Sequence, residues 1–345
     1  MAEWSCSGLQ IRVRRFDSDL SLQLNLKFKL NKILVTGCNG FIGFHLVSSL
    51  LSKGFPVYGI DSMNDYYDVF LKKDRLSILR KNKNFEFNNI NLCDRENLKK
   101  LIQEKNPSII INLAAQAGVR YSLINPNSYF DSNLIGFCNI IEIAKERNIK
   151  FIYASSSSVY GSKTKIPFKE SMQSLHPVSL YGLTKKFNED LAENYFNLFG
   201  FKSIGLRFFT VYGPWGRPDM AYFKFSELIR NSQEIIVYNQ GKMSRDMTYV
   251  DDVCDGILSS INYEAEKNEL FNLGNNSPIE LKNLISFLEN HFGKSAKIKY
   301  KKSKYEVTTT YADISKSKKY LGYNPQTNFE EGMKIFLSWF KTYKL

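Results

Sequence analysis

The stretch "KILVTGCNGFIGFHLVSSL" (residues 32–50) decides the fold. A short apolar run, KILV (32–35), gives way to Gly37, Gly40 and Gly43 and then to the helical spacing of Phe41, His45, Leu46 and Leu50, an order that reads strand, turn, helix. Glycines there let the turn be tight, let backbone approach a pyrophosphate, and let helix pack closely on strand, while the helix N-terminus turns its unpaired N–H groups to the anion. The spacing is G-x-x-G-x-x-G, a variant of the dinucleotide fingerprint, so its weight depends on the acid that follows. Asp61 closes the next apolar run in "VYGID", eighteen residues after Gly43. Its carboxylate is placed to accept from the adenosine ribose hydroxyls and to repel a 2′-phosphate, which selects NAD over NADP; the bland alternative is a strand-end Asp capping a turn. Asp94, read as ending the third strand, is a second candidate, facing the adenine amino group.

Outward from this unit, apolar runs at "FPVYGI" (55–60), "FEFNNI" (85–90), "SIIINLA" (108–114), "KFIYAS" (150–155) and "KSIGLRFF" (202–209) alternate with helical segments near 95–105, 128–147 and 180–199. That alternation predicts α/β architecture, a Rossmann-type doubly wound parallel sheet covered on both faces. After residue 212 it loosens into "GPWGRPDM", a helix near 222–231, a strand near 235–238 and helices near 279–291 and 328–341. The expected division is a cofactor domain over 31–210, with 249–275 packing back on it, and a smaller C-terminal substrate-binding region from 211–248 and 276–345. Residues 1–30 form an extension without an assigned role.

Composition narrows the classes. The 345 residues are 43% hydrophobic and 23% charged, as in ordinary globular proteins, and carry a formal charge of +13. No basic run with interleaved aromatics accompanies that charge, so nucleic acid is not the expected partner. Cys6, Cys38, Cys93, Cys138 and Cys254 are scattered, odd in number and without a C-x-x-C pair, which points to a reduced, cytoplasmic setting. Three histidines without ligand spacing give no support for a metal. No apolar stretch reaches the ~18–20 residues that cross a bilayer, and the first thirty lack the apolar core and cleavage site of a signal peptide.

Two further stretches carry chemistry. "YASSSSVYG" (153–161) is either a Ser-rich linker or a ligand-facing strand end, and "YGLTKK" (181–186) sets Tyr181 and Lys185 on one helical face. An adjacent ammonium stabilises phenolate against its ordinary pKa of ~10, the condition for a tyrosine base. Alone the Tyr-x-x-x-Lys pair is a common accident; beside a dinucleotide loop and a serine ending a parallel strand it is a candidate catalytic set.

With these residues in place, the chain resembles the extended short-chain dehydrogenase/reductases and, within them, the UDP-glucuronate 4-epimerases. The matching segments are "ILVTGCNGFIGFHL", "DSMNDYYDVFLKKDRL", "NLAAQAGVRYS", "YASSSSVYG", "HPVSLYGLTKK", "LRFFTVYGPWGRPDMA", "GKMSRDMTYVDD" and "TYADISK". The resemblance runs from Asn31 to the C-terminus.

It implies a catalytic set of Ser156, five positions before Gly161, with Tyr181 and Lys185. It implies NAD held by Gly37, Asn39, Gly40, Phe41, Ile42 and Gly43, by Asp61 and Asp94, by Leu113, Ala114, Ala115 and Gln116 after the fourth strand, by Asn133 and Phe209, and by Tyr181 and Lys185. For the UDP-sugar it implies Arg120, Ser157, Ser158 and Arg245, with Thr210 and Arg217 reading a C6 carboxylate, a task suited to the planar guanidinium. Related 4,6-dehydratases carry an Asp-Glu pair where this chain has Ser157 and Ser158, which disfavours dehydration for want of a carboxyl acid. The implied activity is NAD-dependent 4-epimerisation of UDP-glucuronate, against a UDP-hexose or UDP-N-acetylhexosamine epimerase, a decarboxylating UDP-xylose synthase, or a NAD-sensing binding protein. A homodimer through the helices near 128–147 and 180–199 is also implied.

Overall fold

The computed structural model describes residues 31–162, 164–172, 175–303 and 307–343; the extension over 1–30, including Cys6, lies outside them. The strands of the principal sheet are β1 (Ile33–Thr36), β2 (Val57–Ile60), β3 (Phe85–Asn88), β4 (Ile109–Asn112), β5 (Lys150–Ser156), β6 (Ser203–Phe208) and, after three strands of a smaller region, β10 (Glu269–Leu273). Their order is β10-β6-β5-β4-β1-β2-β3, and every pair is parallel. The order reverses direction between β1 and β4, and ligands of such sheets bind beyond the strand ends at that switch.

Burial on both faces explains the unbroken apolar runs. Along β1, Ile33 and Val35 join one buried cluster and Leu34 the other; along β4, Ile109 and Ile111 oppose Ile110 in the same way. The first face is covered by helix α1 (Phe41–Ser52) through Leu46, Val47 and Leu50 and by α7 (Val250–Asn262) through Val253 and Ile257. The second is covered by α3 (Arg95–Lys105) through Leu98 and Ile102, by α4 (Gly136–Glu146) through Ile140 and Ile141, and by Ala192 of α5 (Leu180–Phe199). Helix α2 (Val69–Leu79) follows β2.

The seven-stranded sheet and its flanking helices are the doubly wound architecture read from the alternation. The seventh strand, β10, lies within the 249–275 stretch expected to pack back on this domain, although the sequence reading places no strand there. Helix α2 is absent from that reading too; its buried Arg75 donates to the Asn39 carbonyl at 2.9 Å and the Tyr67 hydroxyl at 2.7 Å. The smaller region holds β7 (Thr210–Tyr212), β9 (Ser244–Tyr249) and β11 (Pro278–Glu280) as one sheet, and β8 (Glu234–Tyr238) with β12 (Lys297–Lys301) as a pair. Its helices are α6 (Ala221–Arg230), α8 (Leu281–Phe292), α9 (Ser315–Leu321) and α10 (Phe329–Thr342).

One expectation is corrected here. β3 ends at Asn88, and Asp94 is the exposed N-cap of α3, accepting from the Asn97 backbone N–H at 3.2 Å and its side-chain amide at 2.6 Å. That capping satisfies an orphan helix donor and engages both carboxylate oxygens, and Asp94 does not line the cleft. The cleft passes instead along Ile90, Asn91 and Leu92.

Candidate active site

A single cleft runs across the carboxyl ends of β1, β2, β4, β5 and β6. At one end lies the glycine loop. Gly37 has φ +69°, and a Cβ there would stand 2.8 Å from the Ala114 nitrogen; a Cβ on Gly43 would stand 2.0 Å from the Gly37 carbonyl oxygen. Only glycine fits either place, so the loop stays shallow enough to form a cradle. Gly40 caps α1 without a side-chain hydrogen bond, no acid occupies the first turn, and Phe41, Ile42 and Gly43 line the cleft. The first-turn N–H groups of a helix have no partner within it, which makes this an anion site.

Asp61 lines the same end at the tip of β2, its carboxylate fixed by the Asn39 N–H at 3.1 Å and the Met63 N–H at 2.9 Å. The cradle, the open helix end and a held carboxylate at the ribose position fit a dinucleotide. Asn39 itself is buried and off the cleft wall: its backbone orders Asp61, and its side chain reaches the Met63 sulfur. Leu113, Ala114, Ala115 and Gln116 line the cleft after β4, and Phe209 lines it after β6. Asn133 does not. It is buried in the π-helical turn Phe130–Ile135, accepting from the Gln116 N–H at 2.8 Å and donating to the Gln116 carbonyl and the Thr184 hydroxyl, both at 3.0 Å. It thereby ties the loop after β4 to the helix that carries Tyr181.

At the other end the cleft meets Ser156, Tyr181 and Lys185. Ser156 ends β5, buried, its hydroxyl donating to Ser158 Oγ at 3.1 Å and accepting from the Ser158 N–H at 3.1 Å. Ser155 also lines the cleft and donates to Glu189 at 2.5 Å, while Ser157 and Ser158 form a 3₁₀ turn off the cleft wall. The run of four serines is a rigid strand end with separate tasks, not a linker.

Lys185 is buried and donates from Nζ to the Ala154 carbonyl at 2.9 Å; burial pushes its ammonium down to about 8, with Glu189 acting against that shift. Burial pushes the Tyr181 phenol up, opposed by the Ser156 hydroxyl and the charge of Arg217. The expectation that Lys185 sets the phenol's acidity is thus altered: its ammonium is turned to the strand, and the groups that ease ionisation of Tyr181 are Ser156 and Arg217.

Beneath this end runs a network that the sequence reading missed. Arg207 of β6 stands in register beside Ser155 and grips Glu189 with Nε at 2.7 Å and Nη2 at 2.8 Å. Its Nη1 donates to the Tyr160 hydroxyl at 2.8 Å, which donates to Asn272 of β10 at 2.7 Å. The signals were an Arg inside an otherwise apolar strand and a Glu one turn after Lys185. Lys72 was missed too: it lines the cleft near Asp61, donating to Asn64 at 2.6 and 2.5 Å, and burial lowers its pKa.

The substrate residues divide. Arg217 lines the cleft, bound to Asp219. Thr210 does not line it, although its neighbours Phe209 and Val211 do, because strand β7 turns it to the other side. Arg245 on β9 donates to the Ser244 carbonyl at 2.9 Å and the Thr308 carbonyl at 3.3 Å, outside the cleft wall. Arg120 lies with its guanidinium 4.0 Å over the Tyr238 ring, also outside it. Among the described residues no cluster of three His, Cys, Asp or Glu could hold a metal, and no helix is long and apolar enough to cross a membrane.

Comparison with known proteins meets this geometry. Protein CapI of Staphylococcus aureus is 45% identical over 331 residues, covering 90% of this chain and 99% of its own. UDP-glucuronate 4-epimerase 4 of Arabidopsis thaliana is 41% identical over 335 residues, covering 90% and 75%. The crystal structure of UDP-glucuronic acid 4-epimerase from Bacillus cereus, in complex with UDP-glucuronic acid and NAD, superposes with a TM-score of 0.85 at 34% identity over 90% of this chain and 99% of that one. The family model described as GDP-mannose 4,6 dehydratase matches residues 34–336. With its glycine cradle, Asp61 and the Ser156–Tyr181–Lys185 set at the strand ends, the chain belongs to the GDP-mannose 4,6 dehydratase family of extended short-chain dehydrogenase/reductases.

Proposed function

We propose that the chain is an NAD-dependent isomerase that interconverts UDP-glucuronate and UDP-galacturonate through a 4-keto sugar. The observation that carries this reading is one cleft that joins the dinucleotide cradle to Ser156, Tyr181 and Lys185 and ends at Arg217. The similarity to UDP-glucuronate 4-epimerases supports it. NAD, when bound, supplies the acceptor that takes hydride from C4 and returns it to the opposite face.

Tyr181 takes the proton of the 4-hydroxyl and later gives it back. Ser156 hydrogen-bonds the same oxygen, exchanging its present contact with Ser158, and so stabilises charge that develops there. Lys185, held by the Ala154 carbonyl, binds the nicotinamide ribose. Arg217 binds the C6 carboxylate. A 4-keto uronate is a β-keto acid that loses CO2 when the C5–C6 bond aligns with the carbonyl π system, so a held carboxylate favours epimerisation. Ser157 and Ser158 provide no carboxyl acid for dehydration, whatever the family's descriptive name.

Residues 31–210 bind cofactor, with 249–275 packed against them, and 211–248 with 276–345 bind the UDP-sugar, Arg245 on the diphosphate. Two copies pair through the helical stretch 128–147 and α5; exposed Phe130 and Ile135 in the first and Leu183, Phe187, Leu198 and Phe199 on the second support a covered face. The free, scattered Cys38, Cys93, Cys138 and Cys254 support a cytoplasmic setting. Incubating the pure protein with UDP-glucuronate and resolving UDP-galacturonate, UDP-xylose and unchanged substrate tests the function. UDP-galacturonate is the expected product; UDP-xylose alone, or no turnover, contradicts it.

A further inference from the structure

Arg217 is an unusual carboxylate reader in that it already holds a carboxylate. Its Nε donates to Asp219 Oδ1 at 2.9 Å and its Nη2 to Oδ2 at 2.6 Å, a two-point fork. Only Pro218 separates the two residues, and its fixed φ makes the pair a local, prebuilt unit. Tyr66, from the segment after β2, crosses to donate its hydroxyl to Asp219 Oδ2 at 3.0 Å, with the Arg217 guanidinium 5.7 Å from its ring centre. Gly118 closes the enclosure: a Cβ there would lie 2.6 Å from the Tyr66 hydroxyl and 3.6 Å from Arg217 Nη2.

Arg217 and Tyr66 line the cleft, whereas Asp219 stands off its wall. A guanidinium has five N–H donors arranged on two edges that each match a carboxylate. With the Nε–Nη2 edge on Asp219, the Nη1–Nη2 edge is left for a second carboxylate.

We propose that Asp219 is the positioning residue for substrate selection: together with the Tyr66 hydroxyl it holds Arg217 by one edge so that the other meets the carboxylate of the uronate. This rests on the reading of the site as a uronate epimerase. The consequence is a selectivity that depends on orientation as well as charge. Without Asp219 the guanidinium keeps its charge but swings about its long stem, so a carboxylate-bearing sugar loses a paired contact while a neutral hexose loses nothing.

The test measures, in Asp219→Asn, the KM of UDP-glucuronate and, separately, the inhibition constant of UDP-glucose as a competitor. Copurified NAD, read by absorbance and fluorescence, reports an intact fold. The expected result is a KM for UDP-glucuronate raised about tenfold, a UDP-glucose inhibition constant within twofold of the parent, and UDP-pentose among the products. An unchanged KM, or both constants rising together, overturns the assignment. If Asp219→Asn does not retain NAD, Tyr66→Phe carries the same comparison, with a smaller shift of the same sign expected and a parallel or null change overturning it. A parent protein that fails to turn over UDP-glucuronate defeats the functional reading; one that succeeds while the variants match it defeats only this inference.

Discussion

Two arginines in this molecule each grip a carboxylate by the same two-point fork, and they have opposite surroundings. Arg207 and Glu189 are sealed under the floor of the site, with side chains 2% and 3% exposed. Arg217 and Asp219 sit at the wall of the cleft, 19% and 31% exposed. Burial works against the charge of Arg207, yet Glu189 and the Tyr160 hydroxyl hold its pKa above the ordinary value. The buried pair joins β5, β6, α5 and, through Tyr160, β10; the other joins residues two apart and faces a ligand space. The same chemistry serves fixity in one place and recognition in the other, and the difference is whether water or substrate can reach the second edge of the guanidinium.

Removing one partner of the sealed pair is the largest perturbation. Glu189→Ala leaves Arg207 buried without a counter-charge and frees Ser155, which costs about 3–5 kcal/mol and lowers the thermal midpoint by roughly 10 °C. Calorimetry checks it, and a shift under about 2 °C would erase the distinction between the two pairs.

Arg217→Ala has the reverse profile. Its partner Asp219 can hydrate, so stability changes by less than about 1 kcal/mol. Turnover of UDP-glucuronate falls by about a hundredfold, in line with ~3 kcal/mol of lost two-point contact, and UDP-pentose appears. Unchanged kinetics would remove Arg217 from recognition.

Lys185 lies between these cases, a buried cation one turn before Glu189 without a fork of its own. Its folded pKa of about 8 lies below its ordinary value of 10.5. Below about pH 8 the lysine is charged in both states and the folded chain bears the full cost of burying it; between about 8 and 10.5 folding releases the proton and that cost fades. Lys185→Met should therefore be more stable than the parent by about 2 kcal/mol at pH 7, the advantage shrinking as pH rises to 10, while turnover is lost. Denaturant titrations at pH 7 and 10 measure the gap; a variant that is less stable at pH 7 contradicts the buried-charge account. The smallest effect belongs to Tyr160→Phe, which removes the link from Arg207 to Asn272 and should cost about 1.5 kcal/mol with kinetics unchanged.

Much of this was legible in the residues. The glycine loop, Asp61 and the alternation of apolar runs predicted the sheet and one end of the cleft, since period and turn chemistry are local. Ser156, Tyr181 and Lys185 needed their company to be read, because each is common alone. What could not be read were partners set by register and crossing: Arg207 beside Ser155, Tyr66 over Asp219, Asn133 tied to Gln116 and Thr184 and not facing the ligand. Asp94 was misread for the opposite reason, since an acid after a strand and an acid capping the next helix are a few residues apart and look the same.

The central claim is that epimerisation at C4 occurs by removal and return of the same hydrogen, with the C6 carboxylate held. UDP-glucuronate deuterated at C4, turned over by the pure protein in ordinary water, tests it in one NMR spectrum. The account predicts UDP-galacturonate with the deuterium retained at C4 and C5 unexchanged. Loss of the label from C4, or exchange at C5, would contradict it.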